Sequence, residues 1–137
     1  MRGLGAAGLA VLLLAAGAES AAAEPVGVWQ RPSGEAHMEI APCGAHLCGT
    51  LVHLDQDYTD ELNPDPALRG RPLLGTRIVH EAAATDRPGR WRGQLYNAED
   101  GRTYQGFLVL EAADALRLEG CVLGGLICKG ETWQRVR

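Results

Sequence analysis

Two short stretches of the sequence decide the fold: Gly27-Val28-Trp29 near the start and Trp133-Gln134-Arg135 near the end. Closing an antiparallel barrel pairs the first strand with the last, so a tryptophan on one and an arginine on the other become neighbours. We expect Arg135 to lie over or beside the Trp29 ring, in a cation–π contact of about 0.5–2 kcal/mol. The two stretches therefore predict a closed barrel.

Between these ends the sequence reads as short strands separated by turn signals, which is typical of an all-β protein. The run Leu116 to Val122 alternates most clearly, with Leu116 and Leu118 on one side and Arg117 and Glu119 on the other. The predicted strands are residues 26–30, 36–42, 50–54, 77–80, 90–96, 103–110, 116–122 and 126–136. A small eight-stranded antiparallel up-and-down barrel is the simplest arrangement, because closure removes exposed strand edges.

The first 23 residues have the features of a signal peptide. Met1-Arg2 is a short basic segment, Leu9 to Ala16 is apolar, and Ala21-Ala22-Ala23 provides small residues for cleavage. The apolar run is too short to cross a bilayer, which takes ~20 residues. We therefore predict a signal peptide at residues 1–23, a single β-barrel domain at residues 24–137, a periplasmic or secreted location, and no stable membrane insertion after cleavage.

The charge balance excludes some classes of partner. The formal net charge is −4, and removing the predicted signal peptide leaves it unchanged because one basic residue, Arg2, and one acidic residue, Glu19, leave together. An acidic protein is poorly suited to bind nucleic acid or anionic lipid. We expect neither as the main partner.

Four cysteines lie after the predicted cleavage site: Cys43, Cys48, Cys121 and Cys128. In an oxidising compartment they indicate two disulfides, with three ways of pairing. We favour Cys43–Cys48 and Cys121–Cys128, because each pair flanks a turn and paired strands hold opposite Cα atoms at disulfide distance. The alternative, a zinc site with four thiolates, is disfavoured because the spacings C-x4-C and C-x6-C are poor for it.

A long irregular stretch over residues 55–72 is the strongest candidate for a functional element. Prolines stiffen it, and long ordered loops often bind ligands. We predict that the Asn63-to-Gly75 segment covers the barrel mouth as a lid. The predicted polar rim consists of Asp60, Asn63, Asp65, Arg69 and Arg71. The alternative is structural: Asn63 and Asp65 cap a short turn, and Arg71 pairs with an acidic neighbour.

Neither the carboxylates nor the histidines form a recognisable metal motif. The loop carboxylates could bind calcium, but their spacing does not match the EF-hand pattern. His37 and His53 are expected to be neighbours across the Cys43–Cys48 hairpin, with His46 in its turn, where they could hold a transition metal. A solvated acidic loop and surface histidines are the simpler explanations. We therefore predict no metal and no cofactor.

Four motifs in a fixed order resemble a known family. They are Cys43-Gly44-x-x-Leu47-Cys48-Gly49, Asn63-Pro64-Asp65-Pro66-x-Leu68-Arg69-x-Arg71-Pro72-Leu73-x-Gly75, Tyr96-x-x-Glu99-Asp100-Gly101-x-Thr103-Tyr104 and Thr132-Trp133-x-Arg135. The sequence from residue 24 onward resembles an exported bacterial family known as domain of unknown function 2147. Asn97-Ala98 departs from the Asp-Pro or Asn-Pro pair usual there. The resemblance implies a calycin-like barrel, related in shape to lipocalins, and it carries no catalytic residue.

These observations favour a binding protein. We predict that a small, partly apolar molecule binds non-covalently in an apolar cavity, with Met38, Ile40, Leu95, Leu108 and Leu118 as cavity residues. The alternative is a filled barrel whose Asn63-to-Gly75 segment docks another envelope protein. A third interpretation, a weak hydrolase, has little support. The only serine after residue 23 is Ser33, in a turn, and the only acid–base pair available is His53 with Asp55 or Asp60.

Overall fold

The computed structural model describes residues 24–137, together with residues 3, 5 and 7–11. The predicted cleavage site at residues 21–23 lies outside the described residues, as does most of the predicted signal peptide. Within the described part of the chain, no helix has the length and hydropathy required to cross a bilayer.

The described chain forms a closed antiparallel barrel in which each strand pairs with its neighbours in sequence. The strands are β1 (Gly27–Gln30), β2 (Ala36–Cys43), β3 (His46–Leu54), β4 (Arg77–Ala84), β5 (Arg90–Asn97), β6 (Arg102–Ala112), β7 (Ala115–Val122) and β8 (Ile127–Arg135). Two short 3₁₀ turns, Pro66–Leu68 and Leu123–Gly125, lie in the connections. The predicted all-β, eight-stranded up-and-down barrel is therefore confirmed.

The barrel closes where β1 pairs with β8, with Trp29 opposite Arg135. The Arg135 guanidinium lies 4.3 Å from the centre of the Trp29 ring. It also donates hydrogen bonds to the backbone oxygens of Val26 (2.8 Å) and Ala113 (2.7 Å). Gly27 has a φ of 143°, and a Cβ there would lie 2.6 Å from Arg135 Nη1. The closed barrel therefore requires glycine at position 27, two residues before Trp29.

Several strand boundaries differ from the sequence prediction by one or two residues, and two differ by four. β3 begins at His46 rather than at residue 50, and β4 continues to Ala84 rather than ending at His80. Glycine and alanine have low intrinsic strand preference. The sequence pattern therefore placed the start of β3 after Gly49 and the end of β4 before the run of alanines that follows Glu81. Pairing with neighbouring strands overrides that preference, since Leu47 lies opposite Ala82 in the barrel wall.

The middle of the barrel is filled by side chains. Trp29, Met38, Ile40, Leu108 and Leu116 are almost completely buried there. Glycines on the inner surface are in tight contact: a Cβ at Gly49 would lie 2.7 Å from Met38 Sδ.

The predicted cavity residues belong to this packed core. Met38, Ile40 and Leu108 are core residues, and Leu95 and Leu118 are partly buried and pack against the core. A Cβ at Gly106 would lie 2.6 Å from Leu95 Cδ1. The tight packing shows that these side chains fill the middle of the barrel.

The barrel has two unlike ends. We call the end with the turns at residues 44–45, 85–89 and 113–114 the hairpin end; residues 24–26 also lie there. We call the end with residues 31–35, 55–76, 98–101 and 123–126 the loop end. The predicted disulfides are confirmed, with Cys43–Cys48 at the hairpin end and Cys121–Cys128 at the loop end.

Candidate functional site

A pocket of about 390 Å³ lies at the hairpin end of the barrel. We call it the hairpin-end pocket. Its lining is mostly apolar, with His46 and Glu24 as the side chains that ionise. The lining residues are Glu24, Pro25, Val26, Pro42, Gly44, Ala45, His46, Leu47, Ala82, Ala83, Ala84 and Trp91.

Strand alternation explains the apolar wall of this pocket. Trp91 lies opposite the core residue Leu108, and Leu47 lies opposite Ala82, so these side chains continue the inner surface of the barrel. Trp91 and Leu47 pack against the core, which forms the floor of the pocket. The alanines at the end of β4 are too small to fill the space above it, and the pocket remains open.

The segment that precedes β1 forms one side of the pocket. The Trp29 indole nitrogen donates a 2.8 Å hydrogen bond to the Pro25 carbonyl oxygen, and Pro25 is buried. Arg135 donates a 3.0 Å hydrogen bond to the Glu24 carbonyl oxygen. The tryptophan and arginine that close the barrel therefore also hold the wall of the pocket.

At the loop end, ion pairs join separate parts of the chain. Arg31 donates hydrogen bonds to Glu35 (2.9 Å), Glu99 (2.8 Å) and Glu131 (2.9 Å). The Trp133 indole nitrogen donates to the same Glu131 oxygen at 3.0 Å. Burial alone would lower the pKa of Arg31, but its hydrogen bonds with Glu99 and Glu131 outweigh that effect and raise the pKa. The guanidinium therefore stays charged and ties together three separate parts of the chain.

Three of the predicted rim residues, Asp60, Asn63 and Arg71, form one cluster with Tyr96 around a buried carboxylate. The Asp60 side chain is fully buried, and its Oδ1 accepts from the Tyr96 hydroxyl. Its Oδ2 accepts from Asn63 Nδ2 (2.8 Å) and Arg71 Nε (3.0 Å). Tyr96 follows the inward-facing Leu95, so its side chain is on the outer face of β5. The polar cluster thus attaches the long loop to the outer wall, whereas the sequence predicted a lid over the mouth.

Hydrogen bonding sets the charge states in this cluster. Burial by itself would raise the pKa of the Asp60 carboxyl, but the bonds from Tyr96, Asn63 and Arg71 prevail and lower the pKa. Burial and the hydrogen bond to Asp60 raise the pKa of Tyr96 to about 12. The cluster therefore contains a carboxylate and a neutral phenol at neutral pH.

The other two predicted rim residues have structural contacts. Asp65 accepts a 3.0 Å hydrogen bond from the Ala67 backbone nitrogen and caps the 3₁₀ turn. Arg69 donates a 2.9 Å hydrogen bond to the Asn63 carbonyl oxygen. Asp65 caps a turn and Arg71 pairs with Asp60, and these are two of the contacts that the structural alternative for this loop predicts. Asp60 has three protein donors, which leaves it poorly suited as a calcium ligand.

The histidine predictions have two outcomes. His37 and His53 are cross-strand partners with ring centres 4.7 Å apart, as expected from the hairpin. The proposed acid–base pairing of His53 with Asp60 is absent from the described residues, because Asp60 is bonded to Tyr96, Asn63 and Arg71 instead.

A second pocket, of about 300 Å³, lies between the long loop and the outer surface of β4, β5 and β6. We call it the wall pocket. It is lined by Asn63, Pro64, Arg71, Arg77, His80, Tyr96 and Thr103. Sequence reasoning identified Asn63 and Arg71 but missed Arg77 and His80, because nothing local indicates that β4 lies beside the loop.

Comparison with known proteins identifies the family. Residues 27–135 match the model of a family described as "Uncharacterized protein conserved in bacteria (DUF2147)". The chain belongs to this family. The DUF2147 match extends from the first residue of β1 to the last residue of β8, so it includes every strand of the barrel.

A solved structure has a similar fold. It is protein HP1028 from Helicobacter pylori, described as belonging to the lipocalin family. The TM-score is 0.73 and the sequences are 21% identical, over 83% of this chain and 84% of that chain. No relative was found among the curated proteins. The likeness establishes a lipocalin-like barrel for this DUF2147 member.

Proposed function

We propose that this barrel binds a small, partly apolar molecule in the hairpin-end pocket. The observation that carries the proposal is the pocket itself: about 390 Å³ of space with an apolar wall and two ionisable side chains. Small-molecule sites are typically concave, mostly apolar and about 300–1,000 Å³ in volume. The lipocalin-like fold supports the same class of function.

The lining indicates the chemistry of the ligand. The Trp91 ring and Leu47 offer a flat and an aliphatic surface to an apolar body, whose burial is worth about 25 cal/mol per Å². Glu24 and His46 provide an acceptor and an imidazole for a polar group on the ligand. Binding is non-covalent. Specificity comes from a ligand whose apolar part fits the apolar wall and whose polar group reaches Glu24 or His46.

A fluorescent dye tests this site. We expect Nile red, an uncharged and mostly apolar dye, to bind purified protein with an increase in the fluorescence of the dye. Ala84→Leu adds three carbons at the pocket wall, and we expect it to weaken binding about tenfold. Ala112→Leu is the matched control, since Ala112 is an exposed alanine at the end of β6 and is not a lining residue. Equal binding by both variants would contradict the proposal.

We also infer that the protein is exported and cut after Ala23. Two disulfides and membership of a bacterial family fit an oxidising, extracytoplasmic compartment. Cleavage there leaves a new ammonium group on Glu24, at the edge of the hairpin-end pocket. The intact mass of protein recovered from the periplasm or medium tests this inference. A mass that retains residues 1–23 would contradict it.

A second candidate function is docking of another envelope protein at the loop end. The observation that favours it is the exposure of large apolar side chains there, including Leu62, Leu74 and Leu126, the last 85% exposed. Native mass spectrometry of protein from its own envelope separates the two functions. A small molecule that is lost in Ala84→Leu supports the first, and a protein that is lost in Leu74→Ser supports the second.

A further inference from the structure

We propose that the wall pocket is a second binding site, one that takes a small organic anion through its carboxylate or phosphate group. It lies on the outer surface of the barrel beside the long loop, and it shares no residue with the hairpin-end pocket. The proposal therefore does not depend on the proposed function.

Two arginines bring positive charge to the wall pocket. Arg77 is the first residue of β4, is exposed, and forms no ion pair with any residue in 24–137. Arg71 pairs with Asp60 through Nε and Nη2. Its Nη1 has no hydrogen-bond partner among the described side chains and backbone. Each arginine therefore retains donors for a ligand.

Asp60 holds Arg71 in position and offsets only part of this positive charge. Its two oxygens are engaged by Tyr96, Asn63 and Arg71, and its side chain is fully buried. It fixes one edge of the Arg71 guanidinium, so that little side-chain entropy remains to be lost on binding. With Arg71 and Arg77 against one carboxylate, the pocket has a surplus of positive charge, although the whole chain has a net charge of −4.

Two further hydrogen-bond donors complete an anion site. The Thr103 hydroxyl and the His80 imidazole line the pocket and can each donate a hydrogen bond. Guanidinium groups bind carboxylate and phosphate oxygens through paired, charge-assisted hydrogen bonds. The donor set of the wall pocket is therefore the one expected for an oxyanion.

The size of the pocket indicates that the ligand is more than a simple ion. A volume of about 300 Å³ is several times the space that one inorganic ion fills. The Tyr96 ring and Pro64 supply apolar surface beside the arginines. An organic acid or a phosphate monoester would place its charged group on Arg71 and Arg77, and its carbon skeleton against Tyr96 and Pro64.

NMR titration of the full chain after signal removal tests the proposal. The probes are inorganic phosphate, phenyl phosphate and benzoate, each added at constant ionic strength. We expect saturable shifts of the Thr103 amide and the His80 imidazole, with the organic anions binding more tightly than inorganic phosphate. Saturation by benzoate alone would assign the site to carboxylates, and saturation by phenyl phosphate alone would assign it to phosphates.

Two matched variants separate a specific site from general charge attraction. Arg77→Gln removes a donor that has no ion-pair partner among residues 24–137. Arg87→Gln makes the same charge change in the turn between β4 and β5, at the opposite end of β4. We expect Arg77→Gln to weaken binding about tenfold or more, as loss of a charged hydrogen bond does, and Arg87→Gln to leave it unchanged.

Two results would overturn the proposal. One is equal weakening by Arg77→Gln and Arg87→Gln while both keep wild-type amide dispersion. The other is the absence of saturation with all three anions. Ala84→Leu, which fills the hairpin-end pocket, is expected to leave anion binding intact, so failure of one site is distinguishable from failure of the other.

Discussion

The two ends of this barrel differ in the side chains that lie at the ends of the strands. At the hairpin end, small alanines of β4 leave open space above a floor of Leu47 and Trp91. At the loop end, Arg31 forms ion pairs with three glutamates. The same alternation of inward and outward residues runs through both ends. Side-chain size and charge at the ends of the strands therefore make the two ends different.

Removing the Asp60 carboxylate should damage the loop end most. Asp60→Ala leaves the charge of Arg71, the Tyr96 hydroxyl and the Asn63 amide without their shared partner, and we expect a loss of about 3 kcal/mol in the free energy of unfolding. Urea unfolding measures it. Asp57→Ala, an exposed carboxylate in the same loop, is the control and should change stability by less than about 0.5 kcal/mol. Similar losses in both variants would mean that the cluster does not anchor the loop.

The two disulfides, one at each end of the barrel, should contribute equally to stability. Their sequence separations are 5 and 7 residues, so the chain-entropy model gives each about 2 kcal/mol. We expect the double variants Cys43→Ser/Cys48→Ser and Cys121→Ser/Cys128→Ser to lose similar stability in thermal unfolding. A difference of more than about 2 kcal/mol would show that one end depends on its cross-link far more than the other.

Replacing Arg31 tests whether its ion pairs at the loop end affect binding in the hairpin-end pocket. Arg31→Met leaves three glutamates close together, and we expect a loss of about 1.5 kcal/mol because the arginine is only partly buried. Dye binding at the hairpin end should not change. Arg87→Met, an exposed arginine, serves as the control for loss of one positive charge. A drop in dye affinity for Arg31→Met alone would show that the two ends are coupled.

The smallest expected effect concerns the barrel wall beside the loop end, where His37 and His53 are cross-strand partners. Burial lowers the pKa of His37, and the nearby charges of His53 and Arg137 lower it further. The unfolded chain therefore binds protons more readily than the folded one, so stability should fall as the pH drops below about 6.5. Urea unfolding at pH 7 and pH 5 measures this, and His37→Asn should flatten the dependence.

His46→Asn is the control for the pH experiment. His46 is the exposed first residue of β3, at the hairpin end and away from the His37–His53 pair. We expect this variant to keep the wild-type pH dependence. If it flattens the curve as much as His37→Asn does, the effect does not come from the paired imidazoles.

Particular residues show how far sequence reasoning could reach. Period-two alternation and turn residues are local signals, so the strand count, the Trp29–Arg135 closure and both hairpin disulfides were predictable. The extension of β4 through Ala84 was missed because alanine has no strand preference of its own. The structure brings together Asp60, Asn63 and Arg71 of the five predicted rim residues, and their partner Tyr96, 36 residues from Asp60 in the chain, was missed.

What the sequence determined by itself is the barrel, because each strand and turn depends on neighbouring residues and closure follows from their number and order. What only the tertiary structure decided is where space remains. Leu47, Ala82 and Trp91 line a pocket at the hairpin end, whereas Arg31, Glu99 and Glu131 form ion pairs at the loop end. These side chains come from strands and turns far apart in sequence. Their combined volume and charge are set only when the barrel closes.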